Sequence, residues 1–161
     1  MSHIVEAKTQ IVCPDLPTFR ELHALDGSFA VASHPFIALL RQAVTVIATE
    51  YGGTVESFYL DYYRNRQPVN TGLALHIPRR SDHPQAPALV RGLGLTIDET
   101  TGVLSFVGDP YRVEAFSKQI QWRIVQTYVG LAFMASLRTL QYQTSSQMVE
   151  ECLVVSGVQH E

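Results

Sequence analysis

Four strand-like segments follow one another between residues 54 and 109, with only turns and loops between them. They cover residues 54–64, 73–78, 89–98 and 103–109 and are rich in apolar and aromatic side chains. The last two are joined by Glu-Thr-Thr-Gly, a hairpin turn in which Gly102 can adopt the required positive φ. Strands that come in runs, and do not alternate with helices, are typical of α+β proteins. The sequence therefore predicts a mainly antiparallel sheet.

Helical and strand patterns flank this run on both sides. Residues 2–12 alternate as a half-buried strand, and residues 35–51 repeat apolar side chains at helical spacing. A long helix is predicted over about residues 110–138 with Asp109 as its N-cap, and a final strand over residues 147–155. We therefore predict an α+β fold with a mainly antiparallel sheet of about five to six strands and two to three helices packed on one face.

The length of the chain indicates one domain. With 161 residues, of which 46% are hydrophobic, it can bury a core without help from a disulfide or a metal. Residues 78–88 concentrate prolines and charges and are predicted to form a mobile loop. Because the strands on either side of this loop must pair, we place it within a single domain of residues 1–161.

The charge and the cysteines of the chain bear on its binding partners and on its cellular location. The net charge of −3 gives no general attraction to nucleic acid or to anionic lipid. The predicted long helix carries several charged residues and cannot span a membrane, and the first residues lack the pattern of a secretory signal. Cys13 and Cys152 form no CxxC pair, which favours free thiols in a reducing cytoplasm, although a bridge between them stays open. We predict a cytoplasmic protein.

The sequence offers no pattern that carries a reaction. Its six histidines lack the spacing of a metal site, although His3 and His76 could approach each other beside Asp61 or Asp98. The Gly-x-Gly within residues 91–95 lies in a strand and opens no helix, so it does not indicate a dinucleotide site. We predict no catalytic residue, no metal and no cofactor. The sequence favours a protein that is not an enzyme.

An aromatic strand and nearby arginines supply the main candidates for binding. In the strand predicted over residues 54–64, Phe58, Leu60 and Tyr62 share the face that we assign to the core. Tyr59 and Tyr63 share the other face. Arginines follow this strand and the next at positions 64, 66, 79 and 80, namely Arg64, Arg66, Arg79 and Arg80. Tyrosine and arginine are favoured in protein interfaces. Stacking of nucleic-acid bases is the less favoured alternative, because Asp61 repels phosphate.

Two further expectations concern ligands and copies of the chain. His76, Tyr59 or Arg79 could line a cleft between the sheet and loop 78–88 that binds a small ligand or substrate. Both faces of the predicted sheet are fairly apolar, and helices cover one of them. The other face could be covered by a partner protein or by a second copy, so we expect a homo-oligomer or a partner-dependent protein.

The opening stretch MSHIVEAKTQI resembles the start of a known family. The alternation places His3 and Thr9 on the inner side of the first strand and leaves Lys8 freer to meet a partner. Met-Ser-His followed by Lys8 and Thr9 resembles a domain-of-unknown-function family that includes the plastid-encoded conserved hypothetical protein of the ycf thirty-five type. The resemblance implies no established activity. Members are often encoded near an AAA-type ATPase, which implies an accessory or adaptor role through protein–protein interaction.

Overall fold

The computed structural model describes residues 3–25, 27, 30–139, 142–149 and 152–159. Helices and strands follow the order predicted for an α+β protein, with strands in runs. In chain order they are β1 (Val5–Val12), α1 (Leu16–Ala24), α2 (Pro35–Tyr51), β2 (Thr54–Glu56), β3 (Phe58–Leu60), β4 (Arg66–Pro68), β5 (Leu73–Ile77), β6 (Leu89–Ile97), β7 (Val103–Gly108), α3 (Glu114–Thr139), β8 (Tyr142–Val149) and β9 (Cys152–Gln159).

The main sheet has five antiparallel strands in the order β1-β7-β6-β5-β2. Strands β5, β6 and β7 form its centre, where Leu73, Leu95 and Phe106 stand opposite one another across the three strands. The hairpin β3–β4 forms a separate two-stranded sheet, and strands β8 and β9 form another. The predicted fold class is therefore confirmed.

One face of the sheet forms the core with the helices. Large apolar side chains of the central strands and of the two helices α2 and α3 pack together and are almost fully buried. The strands contribute Leu73, Leu75, Leu93, Leu95 and Phe106, and the helices contribute Leu40, Val44, Ile47, Ile120 and Ile124. Full burial of each such side chain contributes about 1.5–3 kcal/mol. The ends of α2 match the prediction, since His34 Nδ1 accepts a hydrogen bond from Phe36 N and Gly52 closes the helix at φ 67°.

The opposite face of the sheet carries small residues and is covered at its centre by the β3–β4 hairpin. A Cβ placed on Gly94 of β6 would lie 2.9 Å from Val69 and 3.1 Å from Tyr59. The absence of a side chain at Gly94 is therefore what lets the hairpin approach. The expectation that this face is left for a partner or a second copy is wrong at the centre of the sheet, because the chain covers that part itself.

The predicted strand over residues 54–64 is wrong as a single element. It breaks at Ser57 into β2 and β3 and ends at Leu60. The Asp61 carboxylate stops the strand by accepting hydrogen bonds from Tyr63 N (2.8 Å) and Asn65 N (2.9 Å), which turns the chain into β4. The face assignment is wrong for two tyrosines: Tyr59 is buried against the sheet, whereas Tyr62 is 59% exposed.

Two predictions near the C-terminal end also need correction. Asp109 does not cap α3: its carboxylate is buried and binds Arg91 Nη1 at 2.6 Å, and the helix begins five residues later at Glu114. The single strand predicted over residues 147–155 is wrong, because β8 and β9 are two antiparallel strands with Val149 opposite Cys152.

Of the two cysteine side chains, the structure describes that of Cys13. Cys13 is a free, buried cysteine, and burial raises the pKa of its thiol to about 11. The side chain of Cys152 lies outside the described part of the chain, and so does the residue His160. No helix in the described ranges is long and apolar enough to cross a membrane.

Candidate functional site

An open cleft of about 560 Å³ lies between the β3–β4 hairpin and the main sheet, at the edge strand β2 and its neighbour β5. The cleft brings together three of the residues predicted as binding candidates, Arg64, Arg66 and His76. Its lining also includes Thr54, Glu56 and Phe58. The hairpin creates this cleft because it folds back over the sheet after the break at Ser57.

The His76 ring is held between the β3 strand of the hairpin and Gly92 of the main sheet. Its Nε2 atom lies 2.7 Å from the carbonyl oxygen of Phe58, and because a carbonyl only accepts, Nε2 carries the proton. The imidazole packs against Gly92, where an added Cβ would lie 2.5 Å from the ring. His76 Nδ1 has no protein partner among the described residues. A ligand could therefore use this nitrogen.

The two arginines of the cleft are held by the hairpin. The guanidinium carbon of Arg66 stands 4.4 Å from the centre of the Phe58 ring, a cation–π contact. Arg64 occupies a left-handed conformation with φ 63°, and its backbone N–H donates to the Asp61 carbonyl at 3.0 Å. Within the part of the chain that the structure describes, neither guanidinium forms an ion pair.

Asp61 organises the turn that carries Arg64. The backbone N–H of Asn65 and, in addition, the Gln67 side chain and the Tyr63 N–H hold the pKa of Asp61 below its usual range. The carboxylate is therefore ionised and occupied by the turn at neutral pH. The donors stabilise the negative charge and do not cancel it, so the repulsion of phosphate expected from Asp61 still applies at this turn.

The other aromatic candidates separate into a buried residue and an exposed one. Tyr59 lies under the hairpin, and burial raises the pKa of its hydroxyl. Tyr63 is 78% exposed at the hairpin tip and contacts Tyr62 edge-to-face at 5.1 Å. Arg91 reaches the Tyr62 ring from β6, with 5.6 Å between the guanidinium carbon and the ring centre. Of the two candidate tyrosines, Tyr63 is therefore the one that is accessible to another molecule.

The remaining candidates lie outside the cleft lining. Arg79 and Arg80 are exposed in the segment 78–88, which forms neither helix nor strand, and Arg80 pairs with Asp82 at 2.6 Å. The mobility of this loop stays a prediction. Lys8 is exposed on the edge strand β1.

The placement predicted for the two inward-facing polar residues of β1 is half correct. Thr9 Oγ1 donates to the Leu104 carbonyl at 2.7 Å, which confirms its place in the sheet. His3 is exposed and precedes the strand, so the inner position predicted for it is wrong. Among the described residues, no group of three histidine, cysteine, aspartate or glutamate side chains could hold a metal ion.

A second surface, on α3, was not predicted from the sequence. The helix buries Ile120 and Ile124, but Trp122, Val129 and Phe133 point outward and are 62%, 53% and 51% exposed. Their spacing of i, i+7 and i+11 places them in one stripe, which we call the outer stripe. The signal was present in the sequence, because α3 is apolar on more than one side and a helix of that kind is seldom left in water.

The outer stripe lies in a stretch without exposed charge. Between residues 119 and 136, every exposed side chain of α3 is apolar or uncharged, and the one charged residue, Arg123, is half-buried and pairs with Glu50. Lys118 and Arg138 are exposed at the two ends of the stretch. An ordinary solvent-facing helix carries charges along this side.

Comparison with known protein families, curated proteins and solved structures gives no match for this chain. The resemblance of its opening stretch to the ycf thirty-five family stays a prediction, and the two surfaces must be interpreted from their own chemistry.

Proposed function

We propose that this chain is a non-enzymatic accessory or adaptor protein that binds another protein through the outer stripe of α3. The observation that carries the proposal is the absence of charge on the exposed side of α3 between residues 119 and 136. The centre of a protein interface is depleted of charged residues and enriched in aromatic ones, and tryptophan is frequent among the residues that dominate binding energy.

The stripe has the form of a helix that enters a groove. Trp122, Val129 and Phe133 span about three turns, with the largest side chain at one end. A partner would cover apolar surface that the isolated chain leaves in water, at about 25 cal/mol per Å² of apolar area. The bordering Lys118 and Arg138 favour a partner groove with acidic residues at its ends.

Charge also bears on whether the partner is a second copy. An antiparallel copy centred on Tyr128 would set Lys118 opposite Arg138 of the other chain, at both ends of the contact. Two like-charge contacts oppose that arrangement, so a different protein is favoured over a homo-oligomer. The family resemblance implies an AAA-type ATPase as one partner class. The free thiol of Cys13 is compatible with the predicted cytoplasmic location.

Trp122 is the single tryptophan of the chain and reports directly on the stripe. The emission of the free protein should be that of an exposed indole and should be quenched by acrylamide. Addition of the co-purified partner should shift the emission to the blue and protect it from quenching, because the indole loses its contact with water.

The matched variants are Trp122→Gln with Val129→Gln on the stripe, and Leu22→Gln on the exposed side of α1. The amount of co-purified protein should fall at least tenfold with the double variant, as expected for interface anchors. With Leu22→Gln it should stay unchanged. Equal capture by both variants would refute the proposal. A concentration-dependent dimer in light scattering that only the double variant abolishes would assign the stripe to a second copy.

A further inference from the structure

We infer that the cleft beneath the β3–β4 hairpin binds a small phosphomonoester that also carries a hydroxyl group, such as a sugar phosphate. The inference starts from Arg64 and Arg66, which line one cleft and form no ion pair in the described ranges. Arginine presents several N–H donors in a planar fork that matches the oxygens of a phosphate, and two guanidiniums match the charge of a phosphomonoester dianion.

The guanidinium of Arg66 and the backbone that carries Arg64 are held in place before any ligand binds. Arg66 is stacked 4.4 Å from the Phe58 ring centre, which leaves its N–H edges free. Arg64 projects from a turn that the Asp61 carboxylate holds through two backbone N–H groups. Less side-chain and loop entropy is then lost on binding than for arginines on an unstructured loop.

Glu56 and His76 supply selectivity within the same cleft. Glu56 forms no ion pair among the described residues, and its carboxylate can accept hydrogen bonds from sugar hydroxyls. The same negative charge disfavours a polyanion. His76 Nε2 is engaged by the Phe58 carbonyl, so only Nδ1 can meet a ligand. The set of two arginines, a carboxylate and a ring nitrogen fits a ligand with one phosphate and neighbouring hydroxyls.

The size of the cleft agrees with this class of ligand. Small-molecule sites usually measure about 300–1,000 Å³, and this cleft measures about 560 Å³. It is open to solvent, which suits a polar, charged compound. The hairpin cleft shares no residue with the outer stripe of α3, so the two binding functions can be tested separately.

Calorimetric titration with ribose 5-phosphate, inorganic phosphate and ribose tests the inference on the full chain. Ribose 5-phosphate should bind with a dissociation constant of about 0.1–1 mM, inorganic phosphate about tenfold more weakly, and ribose without measurable heat. Arg64→Ala and Arg66→Ala should each weaken binding of ribose 5-phosphate at least tenfold, because each removes charge-assisted hydrogen bonds. Arg79→Ala removes the same charge from an exposed site outside the cleft and should bind as the unaltered chain does.

Glu56→Gln separates the recognition of hydroxyls from that of phosphate. It should weaken ribose 5-phosphate about fivefold and leave inorganic phosphate unchanged or slightly tighter. Far-UV circular dichroism of each variant checks the fold, and Arg66→Lys keeps the charge if Arg66→Ala unfolds. The inference is overturned if Arg79→Ala weakens binding as much as Arg64→Ala does, or if no heat accompanies any ligand. Tighter binding of a thymidine oligonucleotide than of ribose 5-phosphate would also overturn it and assign the surface to nucleic acid.

Discussion

The two faces of the five-stranded sheet are built on opposite principles. The helix face is filled by large apolar side chains such as Leu95 and Phe106, which are almost fully buried against α2 and α3. The hairpin face depends on small residues, since Gly92 and Gly94 leave room for the His76 ring and for Tyr59. Large side chains therefore stabilise the helix face, whereas glycines determine how closely other groups approach the hairpin face.

The difference separates stability from binding. On the helix face many similar apolar contacts contribute to stability. The loss of one side chain therefore lowers the free energy of unfolding in proportion to the volume removed. On the hairpin face a few specific contacts position the cleft: the bond from His76 to the Phe58 carbonyl and the turn held by Asp61. A small change there should alter the shape of the cleft more than it alters the free energy of unfolding.

Leu95→Ala should give the largest loss of stability. Leu95 is fully buried at the centre of the sheet, and its truncation leaves a cavity that the neighbouring strands cannot close. We expect the free energy of unfolding to fall by about 3 kcal/mol, measured by urea denaturation. Leu22→Ala, at a position that is 69% exposed, should change it by less than about 0.5 kcal/mol. Comparable losses in the two variants would remove the distinction between the faces.

Gly92→Ala should have an intermediate effect and act through His76. Gly92 has φ +88°, and an added Cβ would lie 2.5 Å from the His76 ring. The expected loss is about 2 kcal/mol, from backbone strain together with displacement of the ring. The measurement is again urea denaturation.

Gly52→Ala provides the control that isolates backbone strain. Gly52 has φ +67°, but nothing lies within 4 Å of its added Cβ, so its cost should be about 1 kcal/mol. Combining Gly92→Ala with His76→Ala should remove the excess over Gly52→Ala. An excess that persists without the imidazole would show that the ring does not determine the packing of this face.

The sequence predicted best those elements whose signals are local. The start and end of α2 depend on His34, Pro35 and Gly52, all within one or two residues of the helix. The β6–β7 turn likewise depends on Gly102, which has φ 77°. These features need no knowledge of distant neighbours, and the structure confirms them.

The errors concern residues whose surroundings come from far along the chain. A period of two places Tyr59 opposite to Phe58 and Leu60 but cannot say which side is buried, because Gly94 decides that from another strand. Asp109 has the sequence of a helix cap, but Arg91, eighteen residues earlier, binds it instead. Arg64 and His76 were both predicted as binding candidates, but their meeting in one cleft depends on the folded-back hairpin.

Arg64→Gly should have the smallest effect on stability, and of the opposite sign. Arg64 has φ 63°, a conformation that costs a residue other than glycine about 1 kcal/mol. Glycine relieves this strain, although it gives the unfolded chain more freedom, so the free energy of unfolding should rise by about 0–1 kcal/mol. Thermal unfolding measures the change, with Arg79→Gly in the exposed loop as the charge-matched control. If Arg64→Gly destabilised the protein by more than Arg79→Gly, the guanidinium would be holding the hairpin in place, and the hairpin face would combine stability and binding in the same residue.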